Sequence, residues 1–326
     1  MDKLVERETA TRAPLVVAPA LAVQFFLIPL AVVGITVLGY MGFRSLLTDD
    51  RQAEDYLTQI RTGGTERRWP AAYELSRLMS DPSVRANREL APILVEAFER
   101  AKDDDPRVRR YLALAIGRLD PLPKEAIAAL SRSLDEPDEG YKTDWFSRLT
   151  GGTDSEAGET RISTIWALAS SGDGSVVPRL QPLYESSDAG IRKMVVYALG
   201  ALPGTVQLET LRAALRDPEP DVRWNAAIAL ARHDSREGVP VLQQMLDRAY
   251  VEDTVKREAL RQSHEHLPAS RQDTDSDPIA DVIISGLRAA AALKDASLRP
   301  SVEVLSREDR SMKVRQAALE ALKTMG

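Results

Sequence analysis

The stretch EPDVRWNAAIALA, from Glu219 to Ala231, decides the fold. Its aliphatic anchor, Val222, is followed by apolar residues four, seven and eight positions later, a spacing that places them on one face of an α-helix. An acidic residue stands three positions before the anchor, where the free N–H groups of a helix start favour negative charge. The stretch therefore predicts an amphipathic helix that begins near Glu219.

The same pattern recurs along the last two thirds of the chain. The predicted anchors are Val108, Ile162, Ile191, Val222, Val255, Ile284 and Val314, separated by 54, 29, 31, 33, 29 and 30 residues. A fixed period of about 30 residues is typical of stacked supersecondary units. A second apolar segment follows each helix, in several cases with Pro near its first turn. We therefore expect an all-α array of two-helix repeats.

Three stretches carry a resemblance to a known family: DPRVRRYLALAIG at 105–117, the stretch at 219–231, and KVRQAALEAL at 313–322. They resemble HEAT-like repeats, in the short bacterial form first named from phycobilin lyases. A degenerate copy, RRWPAAYEL, opens the array at 67–75. The resemblance implies an α-solenoid of about seven to eight repeats over residues 67–326. It implies little about function, because such repeats serve scaffolds, adaptors and a few enzymes.

Composition excludes several classes of function. The net charge of −6 and the pI of about 5.4 argue against nucleic acid as a partner, because phosphate binding needs a positive surface. The chain has no Cys, which excludes disulfides, thiolate catalysis and Cys-ligated metal centres. Bases follow most anchors. We expect them to pair with acids near the helix starts of adjacent repeats, and a local basic face is the alternative.

The N-terminal region carries a second signal. Residues 13–43 contain no charged residue, and about 20 apolar residues suffice to span a bilayer as a helix. We predict a polar tail at 1–12, a transmembrane anchor helix at 13–47 that contacts the lipid bilayer, and a juxtamembrane helix with a hinge at 48–66. A cleaved signal peptide is the alternative, but the apolar stretch is too long for one, and no small-x-small site follows it before Arg44.

This anchor predicts a single-pass protein of the bacterial inner membrane. The charged residues nearest the span favour an extracytoplasmic solenoid by a small margin, whereas a wider count reverses the orientation.

No catalytic constellation emerges from the sequence. The three histidines are His233, His264 and His266. HEAT-repeat deoxyhypusine hydroxylases bind a di-iron centre through four His-Glu pairs, whereas this chain has one His-Glu and one His-Asp pair. We find no Gly-rich phosphate loop and no nucleophile elbow. We therefore predict no catalytic residues, no cofactor and no metal, and the protein is interpreted as a non-enzyme.

The long first interval contains an insertion at about residues 136–158. It carries Tyr141, Trp145 and Phe146, and aromatic residues contribute strongly to interface energies. Insertions in solenoids map to loops on one face, often the binding face. We predict these three residues as candidate partner contacts. The alternative is that Trp145 and Phe146 fill a gap in the solenoid.

The sequence thus predicts a membrane-anchored scaffold or adaptor that binds or stabilises a partner protein. Its expected role is that of an accessory subunit of a membrane complex, such as a transporter or membrane enzyme. The alternatives are a HEAT-repeat enzyme, either a di-iron hydroxylase or a bilin-lyase relative, and a purely structural subunit.

Overall fold

The structure is a computed structural model that describes residues 28–47, 52–136, 154–264 and 277–326. These residues form helices, turns and bends and contain no strand. The chain divides into two compact units, residues 1–52 and residues 53–326. The prediction of an all-helical repeat fold is confirmed. The predicted domain boundaries stay predictions.

The first unit contains one described helix, α1 (Ile28–Leu47). The prediction of a single-pass anchor in the inner membrane is wrong, because none of the helices in the described ranges is long and apolar enough to cross a bilayer. Helix α1 covers residues 28–47 of the predicted anchor, and residues 13–27 of that prediction lie outside the described residues.

The described part of the second unit consists of helices of 4 to 17 residues. In chain order they are α2 (Ala53–Thr62), α3 (Thr65–Leu78), α4 (Pro82–Arg85), α5 (Leu90–Arg100), α6 (Pro106–Ile116), α7 (Lys124–Leu134), α8 (Asp154–Ser170), α9 (Val177–Leu180), α10 (Ala189–Ala201), α11 (Leu208–Ala214), α12 (Pro220–Arg232), α13 (Val239–Met245), α14 (Arg248–His264), α15 (Pro278–Leu293), α16 (Arg299–Glu308) and α17 (Met312–Met325).

Seven of these helices pack side by side as the main row of the solenoid. Each contacts the next in the order α3, α6, α8, α10, α12, α15 and α17. A second layer, of α2, α5, α7, α9, α11, α13 and α16, supplies one helix before each member of the row. Because α3 lies in the row, the degenerate first copy predicted at 67–75 is a genuine repeat helix.

Side-chain caps start several of these helices. Asp105 accepts a hydrogen bond from the Arg107 amide at 3.0 Å, and Asp188 accepts one from the Gly190 amide at 2.7 Å. Both acids were predicted as caps from their place before an anchor. Glu219 also precedes its helix, but its side chain makes no cap hydrogen bond. An acidic residue three positions before an anchor therefore indicates the start of a helix more reliably than it indicates a side-chain capping hydrogen bond.

Four predicted anchors form the buried stripe of the row. Val108, Val222 and Val314 are fully buried, and Ile191 is 4% exposed, which confirms their predicted burial. Small residues let successive helices approach closely. A Cβ added at Gly200 of α10 would stand 2.4 Å from the Ala229 Cβ of α12, so only glycine fits this contact.

The other three predicted anchors, Ile162, Val255 and Ile284, are only half-buried. Ile162 and Ile284 are out of register with the buried stripe, and Val255 lies in a helix outside the row. Gly117 of α6 lies against Ala167, just as Gly200 lies against Ala229. Ala167 therefore occupies in α8 the position of Ala229 in α12. The residue of α8 that matches Val222 is then Thr160, two positions before the predicted Ile162.

The remaining two differences concern α14 and α15. In α15 the fully buried residue is Ile283, one position before the predicted Ile284. Val255 lies in α14, which packs on α13 and α15 but does not join the row, because α12 contacts α15 directly. The period near Val255 therefore reports an added helix rather than a repeat.

Candidate partner-binding face

The candidate partner contacts predicted from the sequence, Tyr141, Trp145 and Phe146, lie outside the described residues. Their role stays a prediction. The described residues contain two other sets that bear on binding. These are the arginines that follow the anchors and a line of large side chains along the main row.

The arginines bond between repeats. Arg109 donates to both Glu136 carboxylate oxygens, with Nη1 to Oε2 at 2.6 Å and Nη2 to Oε1 at 3.0 Å. Arg192 donates to Asp217 from Nε at 2.9 Å and from Nη2 at 3.0 Å. Each acid lies beyond the anchor helix, towards the next repeat. Two of the arginines after anchors thus pair with acids between repeats, although these acids stand in turns rather than at the predicted caps. Arg223 and Arg315 instead donate to backbone carbonyls of the turns before their own helices.

Asp217 is the centre of the best-connected of these links. Its side chain is 2% exposed and also accepts hydrogen bonds from the Tyr184 hydroxyl at 3.1 Å and the Glu219 amide at 2.9 Å. Burial opposes its ionisation, but the hydrogen bonds from Arg192, Glu219 and Tyr184 outweigh burial and hold its pKa below the ordinary value. Burial and the adjacent carboxylate raise the pKa of Tyr184 to about 12. This network stabilises the stack and leaves no group for a partner.

The inserted helix α14 contributes a further arginine–carboxylate pair of this kind. Arg248, its first residue, donates to Asp309 from Nε at 2.6 Å and from Nη2 at 2.7 Å. The Asp309 side chain is fully buried. The corresponding helix of the row, α15, has Ile284 after its buried residue Ile283 and offers no guanidinium there. α14 thus supplies the arginine that this repeat lacks.

The histidines do not converge on a site. His233 ends α12, and its Nε2 lies 3.0 Å from the Leu199 carbonyl of α10, a contact that links two helices of the row. His264 is the last residue of α14, and His266 lies outside the described residues. Within the described ranges, no three His, Asp or Glu side chains are grouped as a metal site would require.

A line of large side chains follows the open side of the row. The residue directly before the stacking alanine (Ala115, Ala167, Ala198 or Ala229) is Leu114 in α6, Trp166 in α8, Tyr197 in α10 and Ile228 in α12. Matching positions in helices that pack side by side form a continuous line. Leu114, Trp166 and Ile228 are half-buried, and Tyr197 is 37% exposed. We call these four residues the apolar line.

An aromatic pair lies in the helices at one end of this line. The rings of Tyr73 in α3 and Tyr111 in α6 meet edge to face, with centroids 5.2 Å apart. Arg77 lies over the Tyr73 ring at 5.8 Å, and Arg110 lies over the Tyr111 ring at 5.6 Å. At the other end Arg232 of α12 lies 5.9 Å from the Tyr197 ring centroid. Stacked guanidiniums and rings are the groups that dominate protein interfaces.

Charge is distributed unevenly over the molecule. Helices α6 and α10 carry five basic residues and no acidic residue, in a chain whose net charge is −6. Two of their ion pairs are at least partly exposed: half-buried Arg110 contacts Glu159 at 2.9 Å, and exposed Lys193 contacts Asp221 at 2.5 Å. Exposed pairs contribute at most about 1 kcal/mol.

Sequence reasoning missed the apolar line. The available signal was the large residue before the repeated alanine, which recurs in α6, α10 and α12 at the same distance from the anchor. The wrong register of α8 hid Trp166, because counting from Ile162 gave that residue another position.

Comparisons with known proteins support the fold. Residues 146–215 and 205–262 match the family model described as HEAT repeats. The matched part, 146–262, lies within the region predicted as HEAT-like. No curated protein sequence matches the chain.

Several solved structures are distantly similar. An engineered protein is 19% identical at a TM-score of 0.34, covering 84% of this chain and 96% of its own. A designed armadillo repeat protein in complex with the peptide (KR)4 is 16% identical at 0.39, covering 85% and 100%. Human deoxyhypusine hydroxylase in complex with glycerol is 16% identical at 0.32, covering 84% and 95%. Similarities this distant do not identify a function.

Proposed function

We propose that this protein is a non-enzymatic scaffold that binds an extended segment of a partner protein along the apolar line. The observation that supports the proposal is the repetition of a large, accessible side chain at one position of four neighbouring helices. Contiguous apolar patches on a protein surface mark sites of contact with other molecules, whereas single exposed apolar residues do not. A line of them across successive helices matches an extended chain better than a compact ligand.

The chemistry of the partner follows from the charges beside the line. Lys193, whose ion pair with Asp221 is exposed, and the guanidinium of Arg232 favour a segment with Asp or Glu next to its apolar residues. The exposed ion pair of Lys193 can then exchange its own acid for one of the partner. Stacking of Trp166 and Tyr197 on apolar side chains supplies the binding energy.

The predicted residues of the insertion, Tyr141, Trp145 and Phe146, are a second proposed contact for the same partner. The proposed membrane complex rested on the N-terminal anchor and is not retained. No observation on the described residues supports the enzyme alternative, a di-iron hydroxylase or bilin-lyase relative.

The test compares recovery of partners from native extracts by the wild-type protein and by Trp166→Ala, Tyr197→Ala. Truncating a contact of this type costs about 2 kcal/mol, roughly a 30-fold weaker Kd, so captured partners should be lost. Val304→Ala is the matched control, because Val304 is 54% exposed on α16, in the outer layer. Undiminished recovery by the double variant, with unchanged melting, rejects this face as the binding site.

A further inference from the structure

A separate cavity of about 120 Å³ lies between the first two helix pairs, α2 with α3 and α5 with α6. Its apolar wall consists of Leu57, Ile60, Ile93, Ala101 and Val108. Benzene fits a cavity of roughly 150 Å³, so this one accommodates a branched group of about four carbons. The cavity belongs to none of the contacts described for the apolar line.

Charged side chains surround the same cavity. Arg61, Arg68 and Arg100 contribute three guanidiniums, and Glu96 and Asp104 contribute two carboxylates. Arg68 is committed twice, because its Nε donates to the Gly63 carbonyl at 3.0 Å and its Nη1 donates to Asp104. Arg100 pairs with Glu96 at 2.5 Å, and both side chains are more than half exposed. Arg61 is exposed and forms no ion pair with another described residue, so the rim retains one uncompensated positive charge.

We propose that this cavity binds a carboxylate carried on a small aliphatic group. The aliphatic part occupies the apolar wall, and the carboxylate pairs with Arg61 and with Arg100, whose exposed bond to Glu96 is easily exchanged. A cation would lack a partner here, because both rim acids already pair with arginine. Two sources offer this chemistry, a free branched-chain carboxylic acid and the C-terminus of a peptide that ends in Leu or Val.

The experiment titrates the full-length protein calorimetrically with isovalerate, with acetyl-Ala-Ala-Leu and with the C-terminal amide of that peptide. We expect saturable binding of at least one of the two carboxylates and none of the amide. Isovalerate binding alone identifies a free acid as the ligand, whereas tighter binding of the peptide acid identifies a peptide terminus.

Three variants assign the binding to the cavity. Arg61→Gln removes one charge-assisted bond and should weaken the Kd about tenfold. Ala97→Leu should abolish binding, because Ala97 lines the cavity and the larger side chain fills it. Arg212→Gln makes the same change on α11, where Arg212 bonds Glu237, and should leave the Kd unchanged.

Three results overturn the proposal. The first is absence of saturable binding by either carboxylate up to about 10 mM, ten times a Kd of about 1 mM. The second is equal affinity for acid and amide, which would exclude a role for the charge. The third is an equal loss of affinity in Arg212→Gln and Arg61→Gln.

Discussion

Replacing Asp217 with Asn tests whether the buried arginine links hold the solenoid together. The substitution preserves shape but removes the charge that faces Arg192 and turns one acceptor oxygen into a donor. The two bonds from Arg192, at 2.9 and 3.0 Å, are then lost in part, while the guanidinium stays only 13% exposed. Breaking a buried ion pair by removing one partner costs about 3–5 kcal/mol. We expect a loss near the lower value, because Arg192 keeps its bonds to the Ser186 and Ser187 carbonyls.

The assay is urea unfolding followed by far-UV circular dichroism near neutral pH. Asp221→Asn is the matched control. Asp221 of α12 pairs with Lys193 of the neighbouring helix α10, but its side chain is 51% exposed. An exposed pair contributes about 1 kcal/mol or less. The reasoning is refuted if Asp217→Asn loses no more free energy of unfolding than Asp221→Asn.

Acidification supplies a second readout for the same variant. The folded pKa of Asp217 is lowered, so its contribution is present above the unfolded value, about 4, and is lost as the pH falls through the folded pKa. The difference in stability between wild type and Asp217→Asn should therefore shrink below about pH 4. A difference that stays constant through this range would show that the carboxylate charge is not the cause.

Three further changes test other parts of the structure. The wild-type protein should lose stability at high pH, and Tyr184→Phe should remove this loss. The pKa of Tyr184 in the folded protein is raised to about 12. Its contribution to the free energy of unfolding is therefore complete below about pH 10 and is lost as the pH rises through the folded value. Unfolding free energies of both proteins on either side of that range check this, and identical pH profiles contradict it. Val222→Asp places an unpaired charge in the fully buried stripe and should cost several kcal/mol, comparable with the stability of a whole domain. A wild-type melting temperature would show that the site is not buried. For the insertion, Trp145→Ala, Phe146→Ala should abolish partner recovery without changing the melting temperature. Lowered melting with full recovery would instead indicate that the aromatics pack into the solenoid.

Local pattern was sufficient for much of the fold. The repeat period and the residues around Val108, Ile191, Val222 and Val314 predicted the helices and the side each helix buries. The reason is that a helix brings residues four and seven positions apart onto one face, whatever surrounds it. The acids before the anchors likewise marked where α6, α10 and α12 begin. The pairing of arginines with acids between repeats also followed from this periodic arrangement.

The neighbours of each helix were decided by the tertiary structure. Sequence spacing gave Val255 a place in the row, but α12 packs directly on α15, because close packing selects the helix whose small residues allow contact. The register of α8 depends on the fit of Ala167 against Gly117, a contact between residues far apart in the chain. The membrane span predicted from hydropathy alone is likewise contradicted, because none of the described helices is long and apolar enough to cross a bilayer.

The candidate sites show the same division. Each member of the apolar line is an ordinary helix residue in the sequence, and only side-by-side packing of α6, α8, α10 and α12 brings the four together. The cavity beside Arg68 depends on the meeting of four helices, α2, α3, α5 and α6. A sequence determines which residues share a helix face, because that relation is local. Which faces meet, and which spaces remain between them, depends on long-range packing that periodicity does not encode.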